Sequence, residues 1–487
     1  MAEKEEIIGI TNPKSNFSEW FSEVIAKAEL ADMRHNVKGF LVHRPWSVMT
    51  MELMYDYYER EMRRTGHKPV WFPALIPESN FKKEAEHVEG FIPEVFWVTH
   101  AGDKKLEEKL AMRPTSETAM YSMYSIWIRS WRDLPLKLYQ RCQVWRYETK
   151  ATRPFIRGRE FFWIEAHNVF ATLKGAEDQV KEDMKITENV MHKVFGIPFL
   201  FFRRPDWDKF PGAVYTYAAD SLMPDGRIIQ QPSTHLLGQN FSKPFDVKFV
   251  DKDKKEKYGW QTCYGPAIWR IFASVIALHG DDKGLRFPWE IAPMQVVIVP
   301  INHHENKSVL GYCEQLKKML DEACVSVEID ERDYTPGWKF NDWEMKGVPI
   351  RLEIGPREVK EKTATLVRRD TKDKKKIRVK SLVRELESEG EALSQKLRRE
   401  ADSFFRKNMH QARNMKELEA NLSKGGFTKI AYCSMDIEGV PCAQKIKDEL
   451  HGDVRGERAD KPENPKAGKC IVCGKKAKHF VYVGKQY

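Results

Sequence analysis

No stretch of the 487 residues approaches the roughly 18 consecutive apolar side chains that a membrane-spanning helix needs. The opening segment, Met1 to Ile10, is charged and lacks the apolar core of a secretion signal. Cysteine is scarce: eight in the whole chain are too few for a disulfide scaffold at this length. Internal repeats and long low-complexity tracts are missing as well. A hydrophobic content of 41%, with 14 Trp and 26 Phe, can build large cores and excludes overall disorder. Together these absences predict a soluble protein of the reducing cytoplasm. Neither sign of charge dominates, since 81 basic residues interspersed with 71 acidic ones leave a net +10. That balance favours a local basic surface for a polyanionic partner, and a solvated charged surface explains it nearly as well.

A chain this long predicts two or three domains. The Pro-punctuated segment Phe287 to Pro293 reads as a linker. Beyond it the strand signals Gln295 to Ile301, Val325 to Ile329, Val348 to Ile354 and Thr363 to Val367 alternate with the helical spacing of Val309, Cys313, Leu316 and Leu320. This alternation indicates a compact α/β domain. A charged region, Lys372 to Arg378, follows, and Glu391 to Leu422 reads as helical throughout, leading into a cysteine-bearing tail. The expected boundaries are 1–290, 291–388 and 389–487.

Leu136 to Glu148 alternates as a strand, and a period of two puts Arg146 and Glu148 on one face. After a loop with Lys150, Arg153 and Pro154, a returning strand would align Arg157, Phe161, Trp163 and Glu165. Arginines fork onto phosphate oxygens and an aromatic ring stacks on a base, so the pair suits a nucleotide. A salt-bridged sheet surface is the alternative. In the tail, Cys433, Cys442, Cys470 and Cys473 suit a structural four-thiolate zinc site, against reduced buried cysteines.

Arg-x-Glu, a loop, and Arg-x-x-x-Phe-x-x-x-Glu resemble motif 2 of class II aminoacyl-tRNA synthetases. The helix Val48 to Thr65 leading into Val70-Trp71-Phe72-Pro73 resembles motif 1, and Tyr264-Gly265-Pro266-Ala267-Ile268-Trp269-Arg270 resembles motif 3, with Ala267 where many members have glycine. Arg113-Pro114-Thr115-Ser116-Glu117-Thr118, Gly238-Gln239-Asn240-Phe241 and the segment Gly337 to Arg351 are similar to prolyl-tRNA synthetases of the archaeal and eukaryotic kind. That resemblance implies an α+β catalytic domain, an antiparallel sheet with flanking helices. An α/β anticodon-binding domain and a small α+β C-terminal zinc-binding domain would follow, with two chains associating through motif 1.

The resemblance also implies roles. Arg146, Arg157 and Arg270 would be catalytic, with Glu148, Phe161, Gln230 and Ser233 completing the ATP site and Glu148 or Gln230 serving magnesium. Thr115, Glu117, Trp163, Glu165, His167 and His235 would join Arg146 around proline, bordered by Cys263. Glu117 suits a cationic secondary amine; a helix start capped by Ser116 or Thr115 is the structural alternative. Lys339, Phe340, Glu344, Lys346 and Arg351 would read the anticodon of proline tRNA, with Arg368 and Arg369 on its phosphates. About a hundred residues between motifs 2 and 3 leave no room for an inserted editing domain. One methylene is worth about 1–3 kcal/mol, so alanine and cysteine would not be strongly excluded. The tail Val481 to Tyr487 alternates like a strand, and some relatives tuck such a terminal tyrosine toward the catalytic site.

Overall fold

A computed structural model describes residues 9–81, 95–149, 151–302, 306, 308–461, 463 and 468–487. Most of the charged opening segment and Lys150 lie outside them. An eleven-stranded sheet organises the molecule. Its strands run in the order Met409–Gln411, Phe427–Tyr432, His479–Gly484, Asp453–Arg458, Leu200–Arg203, Tyr215–Leu222, Ile228–Gly238, Trp260–Gly265, Glu160–Phe170, Leu136–Trp145 and Lys68–Pro69. All neighbours are antiparallel except the outermost pair at each end. The expected antiparallel sheet is therefore present, and it continues without a break into the C-terminal module.

Alternation along the strands divides the molecule. Ile164, Ala166 and Tyr264 face a core built with the helices Phe17–Lys27, Pro45–Arg64 and Ile268–His279. Cys263, next to Tyr264, belongs to a different core with Tyr121 and Tyr124 of the helix Glu117–Trp127. Trp163, Glu165, His167, Ser233 and His235 line a cavity together with Cys263. The stretch from 171 to 259 is all described; three of its strands belong to this sheet, the helix Leu173–Thr187 packs on it, and Lys248–Val250 with Glu256–Tyr258 forms a separate two-stranded sheet.

The join to the C-terminal module is tight. Glu457 and Arg458 pair with Arg203 and Phe202. At Gly456 (φ +113°) a Cβ atom would sit 1.9 Å from the Arg203 carbonyl oxygen, so only glycine lets the two backbones approach this closely.

A second sheet has the order Val327–Ile329, Val296–Pro300, Ile350–Ile354, Thr363–Arg368 and Lys374–Arg378, parallel over its first three strands. Helices Ser308–Glu322 and Pro336–Lys346 complete the expected α/β unit. One expectation is refined here and one corrected. The charged region Lys372 to Arg378 contains an edge strand, because Ile377 is buried while Lys374, Lys375 and Lys376 point to solvent. Glu391 to Leu422 is not one helix. The first ends at Lys407, Met409–Gln411 pairs with Phe427–Lys429, and Asn414 starts the next helix by accepting from the Glu417 amide at 2.9 Å. Apolar spacing carries across the break, which conceals it; asparagine side chains set it.

Candidate active site

The strand Leu136–Trp145 ends just before Arg146, yet the Arg146 amide still donates to the Arg159 carbonyl at 2.9 Å. Arg146 and Glu148 thus leave the sheet at its end, and Arg157 returns through a bridge to Arg153. A Cβ on Gly158 would lie 2.7 Å from the Trp269 ring, so glycine lets this loop close on the motif 3 helix. A cavity of about 300 Å³ opens over the sheet, lined by Thr115, Glu117, Arg146, Phe161, Trp163, Glu165, His167, Gln230, Ser233, His235 and Arg270. A smaller one of about 130 Å³ adjoins it and shares Arg146, Phe161 and Arg270, adding Glu148 and Arg157. All thirteen predicted residues of the catalytic region therefore converge.

At the inner end, Glu165 is the hub of a buried network. Its carboxylate accepts from the Ser116 amide at 3.2 Å and the Ser116 hydroxyl, Gln140 Nε2 at 2.8 Å, Cys142 Sγ at 3.3 Å and His167 Nε2 at 3.2 Å. Burial alone would raise this carboxyl; the donors of His167, Ser116 and Gln140 outweigh it and bring it down to about 2. His167 feels the converse. Burial favours the neutral ring, but the Glu117 and Glu165 carboxylates hold the imidazole above its ordinary value. Its other nitrogen meets the Tyr121 hydroxyl at 3.1 Å. Ser116 sits at the helix start but makes no side-chain cap. Its hydroxyl serves Glu165, while that of Thr115 serves Glu117. His235 lies between Thr216 Oγ1 (2.8 Å) and Ser233 Oγ (3.0 Å), and burial, with His167 and Arg204 nearby, lowers it to about 3. One face thus offers a buried anion, Glu117, beside an indole ring and a neutral imidazole.

The outer end is cationic. Arg270 donates to the Gln230 carbonyl at 3.2 Å, and burial, then Arg157 and Arg146, press its pKa down to about 10. Three guanidiniums in so small a volume repel one another, and a polyanion placed among them relieves that repulsion. Arg146 lies 5.3 Å from the Phe161 ring centroid and donates to the Pro114 carbonyl at 3.0 Å, which fixes it between the two ends. Arg157 pairs with Glu148 at 3.1 Å and donates to the Tyr487 main-chain oxygen at 2.5 Å. The Tyr487 hydroxyl donates to Asp225 at 2.6 Å, and its ring lies near Arg153 and Arg227. The tail strand therefore brings its last residue to the cationic end.

In the second domain, Arg351 lies 3.9 Å from the Phe340 ring centroid and pairs with Glu353 at 3.0 Å and Glu344 at 3.4 Å. Lys346 reaches Asp342 at 3.3 Å. Of the expected RNA contacts, Lys339, Arg351 and Arg369 are buried and Arg368 is half-buried, each held by groups of the protein itself. Lys339 shares a helix face with buried Asp342, is 1% exposed, and donates to the Asp330 carbonyl at 2.9 Å. Arg369 forks onto Asp281 of the first domain at 2.6 and 2.9 Å. Arg368 holds Asp370 at 3.0 and 2.9 Å and Glu389 at 2.9 Å. Adjacent arginines at a strand end read as a basic patch in sequence; the carboxylates that claim them are Asp370 two residues on and the remote Glu389 and Asp281.

Cys433, Cys442, Cys470 and Cys473 bring their sulfurs within 4.8 Å of one another. Four thiolates around one zinc at about 2.3 Å stand about 3.8 Å apart, against 3.7 Å between Cys433 and Cys442. The donor set fits that metal.

Sequence reasoning missed Gln140, Tyr121, Arg204, Asp220 and Arg455. Asp220 carried a legible signal, a lone acid in the otherwise apolar or hydroxylic strand Tyr215–Leu222. A fully buried carboxylate demands a cationic partner.

Three family models match successive parts of the chain. The tRNA synthetase class II core domain (G, H, P, S and T) matches residues 96–279, the anticodon binding domain residues 295–389, and the prolyl-tRNA synthetase C-terminal domain residues 415–487. The proline–tRNA ligase of Thermofilum pendens is 54% identical over 98% of this chain and 99% of its own. That of Pyrococcus abyssi is 43% identical over 97% and 98%. The Giardia lamblia prolyl-tRNA synthetase in complex with prolyl-adenylate superimposes with a TM-score of 0.94 at 35% identity, covering 98% of this chain and all (100%) of that one. The Cryptosporidium parvum prolyl-tRNA synthetase complexed with halofuginone and AMPPNP gives 0.92 at 34% identity, covering 99% and 100%.

Proposed function

The chain belongs to the class II prolyl-tRNA synthetases, and from that membership we propose how its two joined cavities divide the work of proline activation. The protein is a proline–tRNA ligase: it activates L-proline with ATP to prolyl-adenylate and pyrophosphate, then transfers proline to its tRNA. No separate editing domain is apparent among the described residues.

Activation needs the proline carboxylate in line with the α-phosphate, so positioning and charge neutralisation are the protein's main contributions. Proline occupies the inner cavity. Its secondary ammonium faces the Glu117 carboxylate and the Thr115 hydroxyl, and its ring packs on Trp163 beside His167 and His235. Glu165 holds Ser116, and so the loop bearing Thr115 and Glu117, in place. ATP takes the outer end with adenine on Phe161, Ser233 and Gln230 on the sugar and phosphate side, and Arg157 and Arg270 on the outer phosphates. Arg146 stands where the carboxylate meets the α-phosphate. Magnesium, when bound with the nucleotide, neutralises phosphate charge; Glu148, a carboxylate among the arginines, would hold it. The convergence of three guanidiniums on a cavity ending in a buried carboxylate carries this reading.

Phe340, Glu344, Lys346 and Arg351 offer a ring, a carboxylate and two cations to the two guanines shared by proline anticodons. Lys339 supports them from beneath, through its bond to Asp330. Zinc on the four cysteines would brace the C-terminal module. Trp71 is 89% exposed beside Val70 in the motif 1 segment, an apolar surface suited to a second copy of the chain. Among the described residues no helix is long and apolar enough to cross a membrane, and work in the cytoplasm is the matching setting. The boundaries 1–290, 291–388 and 389–487 belong to the same reading, with the last two domains tied to the first by Arg369 and by the shared sheet.

Proline-dependent exchange of pyrophosphate into ATP tests the assignment. Exchange supported by proline, and abolished in folded Arg146→Ala, is the expected result. Exchange driven by threonine or serine but not by proline would overturn it.

A further inference from the structure

The strand Asp453–Arg458 carries a guanidinium from the C-terminal module to the back of the catalytic cavity. Arg455 is 1% exposed, and its Nε and Nη2 donate to the two oxygens of Asp220 at 2.8 and 3.1 Å. Asp220 is fully buried and gives the same oxygens to Arg204, at 2.8 Å from Nη1 and 2.7 Å from Nη2. Arg204 Nη1 also donates to the Arg455 carbonyl at 2.9 Å, closing the unit. Two buried cations on one anion leave a charge to balance. Asp208 supplies it, 3.7 Å from Arg204 Nε and 3.6 Å from Arg455 Nη1.

The unit does not stop at the seam between the modules. Arg204 lines the cavity, and its Nη2 reaches Gln230 Oε1 at 3.3 Å. Arginine has no acceptor atom, so this contact settles which end of the amide faces it. The Gln230 oxygen is turned to Arg204, and its NH₂ group is left for the cavity.

We propose that Arg455 is a positioning residue for proline activation: through Asp220 and Arg204 it holds the Gln230 amide as an N–H donor toward the phosphate side of ATP, not as an oxygen ligand for magnesium. The proposal rests on the reading of the cavity as the ATP and proline site. It makes the C-terminal module part of the activation machinery. A seam joint alone would need only the Arg455–Asp220 pair; Arg204 and its reach to Gln230 are the additional features.

Pyrophosphate exchange with ATP, proline and magnesium varied in turn tests it. Gln230→Glu replaces the NH₂ donor by a second carboxylate oxygen beside Arg204. The expected result is a KM for ATP raised by about tenfold or more, with KM for proline within about twofold and half-saturating magnesium unchanged. Arg455→Lys keeps the charge but loses the two-pronged grip, and should raise KM for ATP by about fivefold with proline again unaffected. Asp208→Asn, at a half-exposed position, should shift KM for ATP in the same direction and carries the test if Arg455→Lys does not fold. Glu457→Ala, on the same strand, removes only a side-chain contact to His479 and does not touch the unit, and should leave both constants unchanged. An unaltered KM for ATP in Gln230→Glu with a lower magnesium requirement would make the amide a magnesium ligand and overturn the proposal. So would folded Arg455→Lys and Asp208→Asn with wild-type constants. Wild-type protein that fails to exchange with proline would instead refute the reading of the cavity itself.

Discussion

Replacing Glu165 by glutamine should separate proline binding from ATP binding. Both Glu165 oxygens only accept: one takes the Ser116 hydroxyl, Gln140 Nε2 and Cys142 Sγ, the other the Ser116 amide and His167 Nε2. Glutamine puts an NH₂ against one of these sets, wherever it points. A buried donor left without an acceptor costs about 1–3 kcal/mol, and removing one partner of a buried ion pair costs about 3–5 kcal/mol. His167 can relieve part of the second cost by losing its proton, so about 3 kcal/mol is the working figure. At 1.36 kcal/mol per decade this is roughly a hundredfold. It should fall on kcat/KM for proline, because Ser116 sits between Thr115 and Glu117, while KM for ATP moves little. Glu165 itself is held down to about 2, from an ordinary 4.5. Its contribution is complete above the ordinary value and lost only as pH falls toward 2, so no mild acid treatment imitates the substitution. The assay is pyrophosphate exchange on protein whose fold is verified by circular dichroism. A kcat/KM for proline within about threefold of wild type would refute the network's role.

On the alkaline side, His167 is held above its ordinary 6.5, so the charged ring is present below that value and lost as pH rises through its raised pKa; proline affinity should weaken over that range and the slope should vanish in His167→Gln. Zinc analysis should find about one ion per chain, with Cys470→Ser and Cys473→Ser each releasing it and lowering the melting temperature; fully stable metal-free protein would make the thiols ordinary core residues. Trp71→Glu should convert a dimer to monomers in analytical ultracentrifugation, and an unchanged mass would move the interface elsewhere. Alanine lacks two of proline's ring carbons, so its kcat/KM should be lower by about 10²- to 10⁴-fold, about 10–200-fold for each; a loss beyond about 10⁵-fold would mean the pocket excludes it by another device.

Much of the site was legible because its chemistry lies on strands read with a period of two. Trp163, Glu165 and His167 share a face, and so do Ser233 and His235. What sequence concealed is where each polar group is claimed. Arg369 and Lys339 carry the charge expected of RNA contacts, yet Asp281 and the Asp330 carbonyl hold them inside. Arg204 and Arg455 are 251 positions apart, and nothing local announces that both close on Asp220. The helix break at Asn408 was hidden for a different reason: Phe405, Leu418 and Leu422 are all buried, so apolar periodicity persists while the backbone turns.

The large sheet also has almost no margin. Eleven strands end on one side in Lys68–Pro69 and on the other in Met409–Gln411, two and three residues long. Pro69 has no N–H to offer, and the smaller sheet is bounded on one side by the lysine row of Lys374–Arg378. Each of these edge strands offers a passing chain little backbone of its own to pair with. Ribbon extension along these two strands is thereby discouraged, and exposed side chains such as Trp71 offer a second copy another grip. A protein with this much β-structure is in this way protected against uncontrolled polymerisation by how its borders are trimmed.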